Sequence, residues 1–179
     1  YGASRRVNDS SNLDGGKESD HWADYRGGFR LDANPSKETR FTLLGELFTT
    51  PAGEDIEFQD LTPPYLVEGR MDQKHRGGSL LAKVHHTFAE DVEAELQVYM
   101  DRTAHSFEFT KQGVDSIAAD VLDTYDVDFQ ISLSPLPSHH VLLGLGYRYV
   151  KATYHNAPAL AVNVESKHRT LLSGFFQDE

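Results

Sequence analysis

Apolar and polar residues alternate along stretches of about ten positions, the length of a membrane-spanning strand. In residues 91–101 (DVEAELQVYMD), Leu96 and Val98 fall on one side of the alternation, and Glu93 and Glu95 fall on the other. Because successive side chains of a strand point to opposite faces, this pattern predicts a strand with one apolar and one charged face. Such a strand suits a half-buried sheet, and it also suits a wall between lipid and a water-filled lumen.

The same period recurs along the whole chain, and helical periodicity is sustained nowhere. We therefore predict an all-β fold, an antiparallel up-and-down meander of transmembrane β-barrel type. Residues 1–179 are expected to form a single barrel segment, a partial barrel of about seven or eight strands. The predicted strands span approximately residues 1–7, 22–33, 40–49, 77–88, 92–103, 121–133, 140–151 and 168–178.

Short and long connections alternate between these strands. Short turns are predicted around Pro35, Glu90 and Pro137, and long loops around Asp14, Thr62, Ser116 and Ala159. A meander with all of its long loops at one end has this order. Bacterial outer-membrane barrels have short periplasmic turns and longer external loops, so the order favours a membrane barrel.

Composition narrows the function classes. The formal net charge of -11 argues against a nucleic-acid partner, which requires a basic face. Cysteine is absent, so the sequence predicts neither a disulfide framework nor a thiolate metal site. Mean hydropathy is -0.51, and no apolar run reaches the ~18 residues of a transmembrane helix.

Four segments carry a resemblance to a known family. In order, residues 27–32 (GGFRLD), 97–102 (QVYMDR), 126–130 (DVDFQ) and 174–179 (GFFQDE) resemble successive barrel strands of TonB-dependent outer-membrane receptors. The resemblance implies uptake of a scarce nutrient, such as an iron-siderophore complex, at the outer membrane of a Gram-negative bacterium. It implies the lipid bilayer and a small nutrient ligand as partners, with no enzyme activity and no cofactor.

The resemblance covers about the first third of such a barrel, without the plug domain of the family. A TonB-type partner would act only through parts absent from this sequence, and the chain alone is expected not to transport. An open arc of strands also leaves two unpaired edges, which lipid cannot satisfy. The first predicted strand, with Arg5 and Arg6, is short and charged and is expected to be a poor closing partner.

Candidate ligand-binding residues come from the polar faces and from one long loop. We expect the lumen to be lined by Arg30, Glu95, Asp101, Asp126, Asp128 and Arg148. Phe58 and Tyr65 are aromatic residues of the predicted external loop, where a rigid scaffold often presents binding groups. The simpler interpretation is a hydrated wall whose charges pair across strands.

Metal and catalytic sites are not predicted. The adjacent histidines at 85–86 and 139–140 point to opposite faces of a strand, so neither pair can easily hold one ion.

Two alternative functions remain. One is a soluble antiparallel barrel or calyx for a small apolar ligand, whose apolar face points inward. The other is a small outer-membrane acyl hydrolase that uses Ser132 or Ser173 with a histidine. The alternation alone does not say which face points inward.

Overall fold

The computed structural model describes residues 1–11, 20–59, 61, 63–111, 114–136, 139–156 and 162–178, without the side chains of 58, 110, 111, 114, 135 and 136. The strands are β1 (Gly2–Val7), β2 (Trp22–Ala33), β3 (Thr39–Gln59), β4 (Leu66–Ala89), β5 (Val92–Lys111), β6 (Val114–Leu136), β7 (His139–His155) and β8 (Ser166–Asp178). Each strand pairs antiparallel with its sequence neighbours in a single sheet ordered β1 to β8, so the predicted meander is confirmed. The described residues include no helix long and apolar enough to cross a membrane.

The central strands are much longer than predicted. β3, β4, β5 and β6 contain 21, 24, 20 and 23 residues. The loop predicted through residues 50–75 is wrong, because pairing continues to Gln59 and Leu66. The loop around Ser116 is also strand, since Lys111 pairs with Val114. A backbone ladder needs no apolar face, so a hairpin continues wherever its strands stay in register. Asp14, Thr62, Pro137 and Ala159 lie outside the described residues.

One face of the sheet carries a continuous apolar surface near the short turns, which we call the apolar band. The band consists of Phe29, Leu31, Leu43, Leu47, Leu80, Ala82, Val84, Leu96, Val98, Met100, Val127, Phe129, Ile131, Leu143, Leu145, Leu172 and Phe176. It is the more exposed face, with Val98 at 43% and Phe129 at 40%. On the opposite face, which we call the inner face, Asp126 is 7% and Ser132 is 8% exposed.

Because no second layer covers this sheet within the described residues, the difference in exposure shows that the sheet curves toward the inner face. The charged face is therefore the concave one, and the apolar face is convex. A soluble calyx requires the opposite arrangement, with apolar side chains inside. Apolar patches of this extent on a convex surface are characteristic of membrane or protein contact.

Beyond the band, the strands continue into a distal extension, formed by residues 48–59, 66–77, 103–111 and 114–122. Here the pattern inverts. From residue 68 to residue 76, every convex-face residue of β4 is charged, namely Glu68, Arg70, Asp72, Lys74 and Arg76. The inner face carries Phe109, which is 9% exposed, and Ala118, which is 3% exposed, packed with Ile56, Met71 and Phe107.

Both edges of the sheet are exposed. β1 pairs with β2 and β8 pairs with β7, and no pairing joins β1 to β8 in the described part of the chain. Tyr1 anchors the first edge, because its backbone nitrogen donates to the Gly28 carbonyl at 2.8 Å and its hydroxyl donates to the Glu46 carboxylate. Every residue of β1 and of β8 is exposed.

Candidate functional site

Five of the predicted site residues lie on the inner face of neighbouring strands. Glu95 and Asp101 lie on β5, Asp126 and Asp128 on β6, and Arg148 on β7. The registers place Tyr99 opposite Asp126, and Asp126 opposite Arg148. Because paired residues share a face, these five side chains all lie on the concave surface.

Asp126 and Arg148 form the centre of this group. The Arg148 guanidinium donates to the Asp126 carboxylate, and the Asp126 side chain is 9% exposed while that of Arg148 is 55% exposed. Asp128 follows two residues later on the same face of β6. We call Tyr99, Asp126, Asp128 and Arg148 the inner polar cluster. It presents one half-exposed cation above two acidic groups, which suits a hydrophilic solute with both donors and acceptors.

Gly146 creates the space beside this cluster. A Cβ atom at this position would lie 2.6 Å from the Ser173 hydroxyl oxygen and 2.8 Å from Asp128 Oδ1. No larger residue fits there without moving one of these groups. Gly146 therefore lets Asp128 on β6 and Ser173 on β8 approach each other across β7.

A second set of charges lies nearer the short turns. Lys83 Nζ is 2.7 Å from Glu95 Oε1, and His85 Nε2 is 3.5 Å from Glu93 Oε2. Glu95 is thus paired with a neighbouring strand instead of joining the inner polar cluster. This pairing matches the simpler interpretation, a hydrated wall with charges matched across strands.

The other predicted site residues are dispersed. Arg30 shares the register row of Asp126, but Leu44 and Leu81 separate it from Tyr99, and its Nε binds Asp32 Oδ2 at 2.6 Å. Asp101 lies opposite Ser79 and Thr124. Tyr65 lies between β3 and β4 and is 60% exposed. The side chain of Phe58 lies outside the described residues.

His75 and His105, which lie outside the predicted strands, form a group of rings with Phe48 on the inner face of the distal extension. His75 and His105 have ring centroids 3.9 Å apart, and Phe48 meets His75 edge-on at 4.8 Å. His105 Nδ1 is 3.6 Å from Asp120 Oδ2. Burial, and next the neighbouring His105, lower the pKa of His75. A sequence pattern could have predicted this group. Every second residue of 68–76 is charged, which indicates a strand whose other face, here the inner one, carries no Lys, Arg, Asp or Glu.

The serine–histidine contact that the hydrolase alternative needs is present, but its surroundings differ from those of a catalytic triad. Ser132 Oγ is 3.2 Å from His140 Nε2, while His140 Nδ1 is 3.1 Å from the Ser134 hydroxyl. A triad places a carboxylate at that second nitrogen, where it orients the ring and stabilises its charged form. Ser173 instead lies 3.5 Å from the Gly146 carbonyl. These contacts position polar side chains and provide no activated nucleophile.

The comparison with known proteins finds structural similarity. No protein-family model and no curated protein matches the sequence. The ferric yersiniabactin uptake receptor FyuA from Yersinia pestis superposes with a TM-score of 0.56 at 9% identity, over 91% of this chain and 25% of FyuA. The copper transporter OprC gives a TM-score of 0.46 at 14% identity, over 99% of this chain and 36% of OprC. The chain thus spans a quarter of FyuA, and at this identity the likeness shows the fold alone.

The fold itself is confirmed by this likeness. The chain is an all-β antiparallel meander, and its structural neighbours include the uptake receptor FyuA. The predicted fold class, a meander of transmembrane-barrel type, therefore stands.

Proposed function

We propose that the chain is a segment of the barrel of a TonB-dependent outer-membrane receptor that takes up a scarce nutrient, such as an iron-siderophore complex. The observation that carries the proposal is that the apolar face of the sheet is the convex one. The band residues Val98 and Phe129 lie on the convex face, and the acidic residue Asp126 lies on the concave face. This is the arrangement of a wall with lipid outside and water inside.

In this proposal, the apolar band contacts the hydrocarbon of the outer membrane of a Gram-negative bacterium. The open edges, β1 and β8, are completed by further strands, because unpaired backbone groups cost several kcal/mol each in lipid. The likeness to FyuA over 25% of its length supports this interpretation, since the chain superposes on part of a larger barrel. Coupling to a TonB-type partner is assigned to other parts of such a receptor.

The membrane part of the proposal is tested by accessibility. The chain contains no cysteine, so single cysteines can carry nitroxide labels at chosen positions. Labels that replace Leu96 and Phe129 are expected to collide with oxygen dissolved in lipid and to be shielded from a polar nickel chelate. Labels that replace Glu95 and Asp128, on the inner face of the same strands, are the matched controls and are expected to behave in the opposite way. If Leu96 and Phe129 labels meet the polar quencher more often, the apolar face is not in lipid.

The ligand part of the proposal assigns the inner polar cluster to a hydrophilic nutrient. Trp22 is the single tryptophan of the chain and lies on the inner side of β2, where the Arg5 guanidinium lies 5.3 Å from its ring centroid. Its fluorescence is therefore a reporter for ferric catecholate and ferric hydroxamate chelates on the inner face. Binding is expected to quench the emission, and R148Q is expected to weaken binding more than R30Q does. Equal affinity of the chelates for both variants would show that they do not bind at the inner polar cluster.

A further inference from the structure

Basic side chains follow one boundary of the apolar band on the convex face. Arg76 on β4, Arg102 on β5 and Lys151 on β7 are each the first charged convex-face residue beyond the band on their strand. On β8, the corresponding residue is His168. We call these four residues the basic edge. Lys74 lies one step further along β4.

Tyrosine side chains lie between the band and the basic edge. The rings of Tyr125 and Tyr149 are 6.4 Å apart, and Tyr149 lies 6.2 Å from the ring of His168. Tyr125 is 49% exposed on the convex face. Tyrosine concentrates at the boundary between hydrocarbon and headgroups in membrane proteins. The basic edge therefore lies at the depth of the headgroups.

The cations of the basic edge are available to a ligand. The Arg102 side chain is 70% exposed, and its Nε lies 3.6 Å from Asp123 Oδ1. Asp123 is paired in register with both Arg102 and Lys151, so one carboxylate faces two cations. Arg76 and Lys151 are exposed, and no ion pair holds either of them within the described ranges. The edge is therefore locally positive on a chain with a net charge of -11.

The opposite boundary of the band has a different character. On the side of the short turns, the convex face ends in apolar residues, two histidines (His86 and His139) and the acidic Asp178. Phe88 is 66% and Phe176 is 68% exposed, and Asp178 follows on β8, 3.3 Å from His139. In the described part of the chain, the arginine and lysine residues of the convex face thus lie at the distal boundary or beyond it, so only one surface of a bilayer would meet them. At the short-turn end, Lys37 lies in a turn and Arg40 lies on the inner face.

We propose that the basic edge binds the phosphate groups of anionic lipid headgroups in the leaflet at the distal end of the apolar band. This inference rests on the proposed membrane function. From Arg76 to Lys151 the cations span three strand spacings, about 14 Å, which is wider than a single phosphate. They also border an apolar surface that can hold acyl chains. A row of lipid headgroups therefore fits the edge, and a free phosphate ion uses only part of it.

The test measures lipid preference locally in the full chain, reconstituted into phosphatidylcholine vesicles. A fluorescent label is attached to the cysteine of the Tyr147→Cys variant. Position 147 lies on the convex face of β7, on the band side of Lys151. Brominated acyl chains of the lipids next to this position quench the label. Quenching by brominated phosphatidylglycerol is compared with quenching by brominated phosphatidylcholine. The test variant is R76Q/K151Q. The matched control, K37Q/R40Q, removes two cations at the short-turn end.

Each surface cation contributes about fivefold to the attraction of anionic lipid. We expect a preference for phosphatidylglycerol of about 20-fold that falls close to one in R76Q/K151Q and changes less than about twofold in K37Q/R40Q. Equal losses in both variants, or no preference in the unchanged chain, would overturn the inference. Displacement by inorganic phosphate at matched ionic strength would overturn it as well, since the site would then recognise the ion without the lipid. If brominated phosphatidylcholine fails to quench the label, the band is not in lipid, and the proposed function itself fails.

Discussion

The apolar band and the distal extension belong to the same strands but arrange their side chains in opposite ways. On β5, Leu96 and Val98 point to the convex face in the band, whereas Phe107 and Phe109 point to the inner face in the extension. The backbone pairing runs through both regions with no register shift on β3. The inversion therefore comes from the sequence pattern and not from a change of fold.

This difference indicates that the surroundings of the sheet change at the basic edge. In the band, the convex face is the apolar one, as expected for contact with lipid. In the extension, the convex face carries Glu68, Arg70 and Asp72, and the aromatic residues pack on the inner side, as in a soluble sheet with water outside. The position of the inversion marks the membrane surface in the proposed function.

The largest expected effect comes from placing a charge on the convex face of the band. Leu96→Arg is expected to lower the free energy of unfolding in phosphatidylcholine vesicles by about 2–4 kcal/mol, because the guanidinium would face hydrocarbon. The matched control is Ile117→Arg, at a residue 60% exposed on the convex face of the extension, and it should change stability by less than about 0.5 kcal/mol. Similar losses in guanidinium titrations of both variants would mean that the two regions share one environment.

The second prediction concerns the core of the extension. Phe109→Ala removes an inner-face ring that is 9% exposed and packed near Met71 and Ala118, and the expected loss is about 3 kcal/mol. Hydrogen exchange should become faster at amides of residues 103–111 and stay slow at amides in the band. Ile117→Ala, on the exposed face of the same extension, serves as the control. Faster exchange throughout the sheet would show that band and extension unfold as one unit.

A smaller effect is expected at the inner polar cluster. Arg148→Gln leaves the nearly buried Asp126 carboxylate without its cation, and we expect a loss of about 2 kcal/mol. Arg30→Gln disrupts an inner-face pair whose side chains are 62% and 54% exposed, and its effect on stability should be much smaller than that of Arg148→Gln. Adding Asp126→Asn to Arg148→Gln should restore part of the stability. No recovery in this double variant would argue against the ion pair as the cause.

The smallest effect is a pH dependence confined to the extension. Burial and His105 lower the pKa of His75 from its usual value of 6.5, so the native state binds fewer protons than the unfolded state. Stability of the extension should therefore fall as the pH drops below about 6.5 and should be unaffected above it. Hydrogen exchange of residues 103–111 at two pH values measures this. His75→Gln should remove this pH dependence of exchange. If the dependence persists in the variant, it comes from His105 or Asp120 instead.

Sequence analysis was most successful where hydrophobicity alternates. The strands of the band, their order and the placement of Asp126, Asp128 and Arg148 on the face opposite the apolar residues all follow from the period of two and were predicted. The prediction failed in residues 50–75, because an apolar face was used as the criterion for a strand. In residues 68–76, the alternation is carried by charge, and the backbone pairing continues without an apolar convex face.

The candidate site was predicted as a list of residues but not as a constellation. Asp126 meets Arg148 because the register of β6 with β7 places them directly opposite each other, and that register depends on the geometry of the connection. Arg30 satisfies the same alternation, yet two intervening leucines on β3 and β4 keep it away from Tyr99. His75 and His105 were treated as loop residues, so their contact was not anticipated.

The sequence by itself determined an all-β meander, its charged and apolar faces, and the alternation that makes residues such as Leu96 and Glu95 point in opposite directions. Tertiary structure decided which face is concave, how far the hairpins extend, and which charges meet across strands. The physical reason is that alternation is symmetric: exchanging the two faces leaves the pattern unchanged, and only the curvature of the whole sheet distinguishes them. Curvature and register are properties of many strands together, and no single strand encodes them.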